Sequence, residues 1–243
     1  LLAAKCGDSS CSTGNSTTTV DNSGGSLGFY SSIAIGSDGL PVIAYQDITS
    51  ASFKVAKCGN ASCSSGNTLT TPSGTDVNFG TPINISMAIN STGYPVIAYT
   101  TTSFNGMKVV LCGSLKCDSG NTVATSSTLF TVAAANAAND RTSVAIGNDG
   151  YPIISYNGSS ADLVVVKCAN ALCTSANSIL TTLDSTGSVG TYSSIAIPSD
   201  GNPIISYFDG TNLDLKVAKC ADPTCSLATN TLYSGGTSLG SSS

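Results

Sequence analysis

Ser31-Ser32-Ile33-Ala34-Ile35-Gly36-Ser37-Asp38-Gly39-Leu40-Pro41-Val42-Ile43-Ala44-Tyr45 decides the fold, because the chain carries this unit four times. The other copies occupy residues 85–99, 142–156 and 193–207. Each begins with an alternating run, Ser-Ile-Ala-Ile in the first copy, which reads as a strand (A). Ala34, Ala88, Ala145 and Ala196 share one face of it. Bulk is unwanted there, which suits a crowded innermost strand. A Ser-Asp-Gly type turn follows, with glycine where a positive φ is needed. Strand B, Pro-Val-Ile-Ala-Tyr and its counterparts, is apolar on both faces, so it must be covered on both sides.

Working outward, strand C covers 53–57, 107–111, 163–167 and 215–219, and a Thr-rich strand D follows, for example at 67–71. Between C and D lies a Cys-x4-Cys pair. The five pairs are Cys6/Cys11, Cys58/Cys63, Cys112/Cys117, Cys168/Cys173 and Cys220/Cys225, and their first members are 52, 54, 56 and 52 residues apart. Lys5, Lys57, Lys167 and Lys219 precede four of the first cysteines, with Leu111 in the remaining copy. Regular even pairing reads as a disulfide framework and therefore an oxidising compartment. Zinc sites favour closer pairs, often with His. A loop this short, once closed, contributes about 2 kcal/mol. Strand D, polar and anchored by the cysteines, reads as an outer, solvated edge.

Four short antiparallel strands repeated radially describe a β-propeller blade. The expected fold is all-β, a propeller of four-stranded antiparallel blades, five-bladed with one blade incomplete. A β-solenoid is the alternative, although its coils are shorter and lack a hairpin disulfide in every unit. As a single domain over 1–243, the chain parses into a half blade at 1–21, full blades at about 27–72, 79–125, 139–183 and 189–233, and the approach to a further strand at 234–243. There are thus five C–D hairpins but four A–B hairpins.

Composition excludes several classes of function. Charged residues make up 9% of the chain, all 14 acidic residues are Asp, and His, Glu and Trp are absent. Without His there is no Ser-His-Asp triad and no imidazole metal site, and no cofactor is expected. Eight lysines, one arginine and a net charge of −5 argue against nucleic acid. No apolar run approaches a membrane span. The expected location is extracellular or at the cell surface.

Candidate binding residues are Tyr45, Tyr99, Tyr156 and Tyr207 at the ends of strand B, with Asp47 and Asp209 two residues further on. Such rings stack on sugars while carboxylates bind hydroxyls; the opposing reading is packing between blades. Asp38, Asp149 and Asp200 read as turn caps, since one carboxylate per turn is too few for calcium. Asn15, Asn60, Asn84, Asn90 and Asn157 lie in glycosylation sequons, a number that chance alone supplies.

The Asp-Gly-x-Pro, Ile-x-Tyr and Leu-Lys-Val-Ala pattern resembles the repeats of secreted bacterial and archaeal β-propellers of undefined activity. It covers nearly the whole chain. The turn is loosely similar to the Asp-box of sialidase-like propellers, but no Trp closes the box and Arg141 is the sole arginine. Tachylectin-like sugar binders resemble the chain in blade number only. The resemblance implies fold rather than activity.

The expected function is that of a non-enzymatic structural module. It would be a subunit of a surface layer, stalk or fibre, joined head-to-tail to copies of itself by strand or blade completion through 1–21 or 226–243. The alternative is a lectin-like propeller binding glycans, and a glycoside hydrolase comes third. Peptide mapping without reduction should return five Cys pairs, each within one repeat. A linkage between repeats or a stoichiometric metal would overturn the framework.

Overall fold

Strand B sets the architecture, because a strand apolar on both faces needs a neighbour on each side. The structure is a computed structural model that describes residues 1–72, 84–101, 106–124, 141–158, 160–174, 177–227 and 231–234. The parts of the expected blade boundaries at 79–83, 125, 139–140 and 228–230, and the segment 235–243, lie outside the described residues.

A two-stranded hairpin comes first, β1 (Leu2–Lys5) and β2 (Ser16–Thr19). Four antiparallel four-stranded sheets follow in chain order. Blade I is β3 (Leu27–Ile35), β4 (Pro41–Asp47), β5 (Ser52–Lys57) and β6 (Thr68–Thr70). Blade II is β7 (Ile85–Ile89), β8 (Pro95–Thr101), β9 (Gly106–Leu111) and β10 (Thr122–Ala124). Blade III is β11 (Ser143–Ile146), β12 (Pro152–Asn157), β13 (Leu163–Lys167) and β14 (Ile179–Asp184). Blade IV is β15 (Val189–Ala196), β16 (Ile204–Asp209), β17 (Asp214–Lys219) and β18 (Thr231–Ser234). Separate sheets, each ordered A-B-C-D, are a propeller arrangement and exclude the solenoid. No helix among the described residues is long and apolar enough to cross a membrane.

The blades stack face to face. Val42, Ala44, Phe53 and Val55 of blade I pack on Ile85, Met87, Ile97, Tyr99 and Val110 of blade II. The same contact recurs between blades II and III through Val96, Ala98, Val109, Val144, Ile154 and Val166. Blades III and IV meet through Ile153, Leu163, Val165, Ile195, Ile205 and Ala218. Each fully buried aliphatic side chain contributes roughly 1.5–3 kcal/mol. The other face of blade I is covered by the β1–β2 hairpin, where Leu1, Ala3 and Val20 meet Ile43, Tyr45 and Ala56. The hairpin therefore occupies the outer half of a blade position before blade I.

All five Cys-x4-Cys pairs are disulfides closing C–D turns. Strand D is the outer edge of each sheet and is largely exposed, as in β2 and β6, but the disulfides that anchor it are mostly buried. Cys117, Cys173 and Cys225 are completely buried, at 0% exposure, and their partners Cys112, Cys168 and Cys220 are 1% exposed. These three pairs belong to the apolar joints between successive blades, beside Val110, Val166 and Ala218 respectively. Cys58 and Cys63 are buried in the same way against the first hairpin, and Cys6 and Cys11 alone are exposed. The reason is stacking: strand C is covered by the preceding blade, and the bridge at its end is small and apolar enough to extend that contact.

The second cysteine of every pair has a positive φ, from 51° to 56°. That left-handed residue is costly outside glycine, and a side chain two residues past the first cysteine holds the turn. Asp8, for example, accepts the N–H groups of Ser10, Ser12 and Thr13, and Asn60 those of Ser62 and Ser64.

The inner strands are joined by serine hydroxyls. Ser32 Oγ accepts the Met87 N–H at 3.0 Å, Ser86 the Val144 N–H at 3.0 Å and Ser143 the Ile195 N–H at 3.1 Å. These amides lie on the edge of strand A away from its ladder partner, so the serine of one blade satisfies the next blade's free donor. Ser86→Ala should therefore cost about 1 kcal/mol by stranding the Val144 amide. Urea unfolding measures it, and hydrogen exchange at Val144 should accelerate.

Candidate functional site

The tyrosines that end strand B are not available to a ligand. Tyr45 and Tyr99 are fully buried, and Tyr156 and Tyr207 are 1% exposed. Asp47 and Asp209 are buried as well. Their assignment as ligand-binding residues is corrected: the rings lie in the joints between blades. Tyr45 Oη donates to Asp21 Oδ2 at 2.6 Å, and Lys54 Nζ pairs with Asp47 at 2.9 Å and Asp21 at 3.7 Å. Blade IV repeats the cluster, with Tyr207 donating to Asp184 at 2.8 Å and Lys216 pairing with Asp209 at 2.8 Å and Asp184 at 3.1 Å. Asp184 ends the preceding D strand and Asp21 lies just past the end of β2, so each cluster ties one blade position to the next.

The electrostatics follow. Burial pushes Asp21 upward, but hydrogen bonds from Tyr45 and Ser23 and the charge of Lys54 outweigh it and hold the carboxyl at about 2. Asp209 is likewise brought to about 2 against burial, by Lys216 and Asn212. Burial and the adjacent carboxylates raise Tyr45 and Tyr207 well above the usual phenol range.

The turn aspartates cap their own turns. Asp38 accepts the Leu40 N–H, Asp149 that of Tyr151 and Asp200 that of Asn202. Each also pairs with the lysine that precedes the blade's first cysteine: Lys57–Asp38 at 2.9 Å, Lys167–Asp149 at 2.8 Å and Lys219–Asp200 at 2.7 Å. Sequence reading misses this coupling, although a signal exists. Repeat II has Thr92 for the aspartate and Leu111 for the lysine, so both partners are lost together. There Asn90 Oδ1 takes the amides of Thr92 and Tyr94.

Three sequon asparagines are corrected too. Asn84, Asn90 and Asn157 are buried, at 7%, 8% and 1% exposure, where no glycan fits. Asn157 Nδ2 donates to the Val189 carbonyl. Asn15 is exposed, yet its Nδ2 donates to the Cys11 carbonyl at 2.6 Å. Asn60 is half-buried and donates to Ser64 and Ser65.

What faces solvent is a set of residues that sequence reading passed over, at the end where strand A begins. Tyr30 and Tyr192 occupy equivalent positions in blades I and IV. They have φ of 48° and 55° and are 36% and 50% exposed. Both sit where the A–B register shifts, before Ser32 and before Ser194. Neither carries the glycine that normally announces a positive φ. Arg141, just before β11, places its guanidinium 5.1 Å from the Tyr192 ring centre. Phe208 meets the same ring edge-on at 6.3 Å. No group of three or more metal-ligating side chains exists among the described residues.

No protein-family profile matches the chain, and neither does any curated protein. Among solved structures, a bifunctional GH43-CE protein of Bacteroides eggerthii is similar with a TM-score of 0.51 at 11% identity, over 84% of this chain and 26% of that one. A GH43 endo-arabinanase from Bacillus licheniformis is similar with a TM-score of 0.43 at 14% identity, over 81% of this chain and 72% of that one. The chain thus spans about a quarter of the first neighbour. These likenesses concern the propeller fold and no activity, and the Asp-box and tachylectin likenesses have no counterpart in them. The expected assignment as a structural subunit of a surface layer, stalk or fibre is withdrawn: the similar propeller is a GH43-CE protein and not a subunit of that kind, and nothing among the described residues supports the role.

The clusters predict an acid response. Asp21 and Asp209 sit near 2 when folded, against an ordinary 3.8, so between these values the unfolded chain binds more protons. Their contribution is fully present above about pH 4 and is lost as pH falls towards 2, at roughly 2 kcal/mol per group. Urea midpoints measured down the acid range should fall accordingly, and Asp21→Asn with Asp209→Asn should flatten the dependence.

Proposed function

We propose that the protein is an extracellular propeller that binds a neutral saccharide at a rim site formed by Arg141 and Tyr192, with Tyr30 the equivalent exposed ring of blade I. The observation that carries this reading is Tyr192, half exposed in a left-handed conformation beneath a guanidinium. A non-glycine residue held there stores on the order of 1–3 kcal/mol, and the same strain recurs at Tyr30. Strain tolerated twice to present an aromatic ring supports a surface made for contact. Tyrosine faces take the C–H faces of sugar rings, and a guanidinium supplies several N–H donors to hydroxyls. The net charge of −5 disfavours a polyanion, so the ligand is neutral. The five disulfides fit an oxidising compartment, which supports secretion.

Binding without bond cleavage is part of the proposal. Glycoside hydrolysis uses one carboxyl held protonated as general acid. Every resolved aspartate shift here is downward, and the paired carboxylates are engaged with lysine inside the joints.

Affinity electrophoresis in gels containing arabinan, xylan or mixed-linkage β-glucan, with polygalacturonate as the anionic control, tests the reading. At least one neutral polymer should retard the protein and release no reducing ends. Tyr192→Ala and Arg141→Gln should each weaken retardation about tenfold, the effect of roughly 1.4 kcal/mol. Retardation by none of the polymers, or retardation indifferent to both substitutions, would sink it.

A further inference from the structure

The three joints between complete blades show what an inner strand needs. Met87, Val144 and Ile195 of blades II, III and IV are 6%, 6% and 8% exposed, each covered by the preceding blade. Their counterpart in blade I, Ile33, is 60% exposed, and Ile35 beside it is 59% exposed. The hairpin before blade I supplies only outer strands. β1 corresponds to a strand C, and every other strand C is paired on both edges, whereas β1 pairs with β2 alone. Between the free edge of β1 and the bare isoleucines runs an open groove of about 350 Å³, lined by Ala3, Ala4, Lys5, Ile33, Ile35 and Pro41.

The far face of blade IV has the complementary deficit. Leu215 is 46% exposed, while its counterparts Phe53, Met107 and Leu163 are at most 1% exposed. Ser194, the fourth member of the serine series, is exposed and meets no amide of a following inner strand among the described residues. The β1 edge, the Ile33–Ile35 face and the open face of blade IV thus lack the same object. It is a two-stranded hairpin with alternating small and large apolar residues, a serine on its first strand and a free edge on its second.

We propose that the molecule completes a fifth blade by taking up an A–B hairpin of its own repeat sequence, which adds to the free edge of β1 and covers Ile33 and Ile35. Strand addition of this kind takes affinity from main-chain hydrogen bonds and specificity from alternate side chains. The occupant is a hairpin and not a second folded copy. The four A–B hairpins among the described residues are already sheeted in their own blades, so none of these four is free to fill the groove. The filled joints specify the hairpin's chemistry, and the groove continues those joints. The inference is independent of the rim.

The probe is a synthetic peptide of residues 189–210, which contains one A–B hairpin and no cysteine. Titration into the full protein should give one site per chain, a raised melting temperature and slowed amide exchange in Leu2–Lys5. A scrambled peptide should not bind. Ile33→Asp, at an exposed position that leaves the fold intact by circular dichroism and disulfide mapping, should weaken binding at least tenfold. The proposal fails if the peptide does not bind, if it binds no better than its scrambled form, or if β1 exchange is unchanged. It also fails if light scattering shows a dimer that excludes the peptide, since the groove would then belong to a second copy.

Discussion

Everything in this molecule follows from a strand that is apolar on both faces. A sheet built on Pro-x-Ile-x-Tyr cannot rest one side against water, so each blade must find a neighbour before and after it. Three of the four complete blades obtain both neighbours from the chain itself, counting the half blade that covers blade I. The exposed Ile33 and Leu215 mark where that requirement is unmet among the described residues. Small alanines on the inner strands let the stacked sheets converge, and serine hydroxyls satisfy the edge amides that convergence leaves behind.

Polar groups then fix how neighbouring elements sit. Within a blade, lysine reaches from the end of strand C to the turn between A and B, joining two turns that are distant in sequence. Between blade positions, aspartate at or just past the end of one D strand receives the tyrosine and lysine of the next blade. Buried charge is tolerated because every member of the cluster is paired, and removing one partner would leave another stranded. These pins occur at the joints before blades I and IV. In blades II and III, Thr101 and Gly158 stand where Asp47 and Asp209 stand, and in blade III Val164 also replaces the lysine.

The blades were legible because their signals are local and repeated: the alternation of strand A, the Asp-Gly turn and the cysteine spacing each span a few residues. The sites were less legible for a physical reason. A tyrosine at the end of an apolar strand has a polar tip, and pattern alone cannot say whether the tip meets water or a buried carboxylate. Tyr45 and Tyr207 met carboxylates supplied more than 20 residues away. Spacing likewise announced the pairing of Cys117, Cys173 and Cys225 but not their burial, which depends on a blade one repeat away. The sequon at Asn157 says nothing about burial, so a residue inside a joint read as an acceptor. The rim escaped notice because Tyr30 and Tyr192 adopt a glycine-like conformation without being glycine. The Lys–Asp pairing was written in the sequence as a double loss at Thr92 and Leu111, and only the geometry shows that the two belong together.

The disulfides have a mechanical consequence. Each joins residues five apart within one turn, and none links one blade to another. A pull on the two ends of the chain is therefore borne entirely by noncovalent joints, which give way in succession as in other repeat proteins. Each peeled blade would release its strands while its small covalent loop stayed shut, so tension would fall in steps of similar length and no crosslink would arrest the sequence.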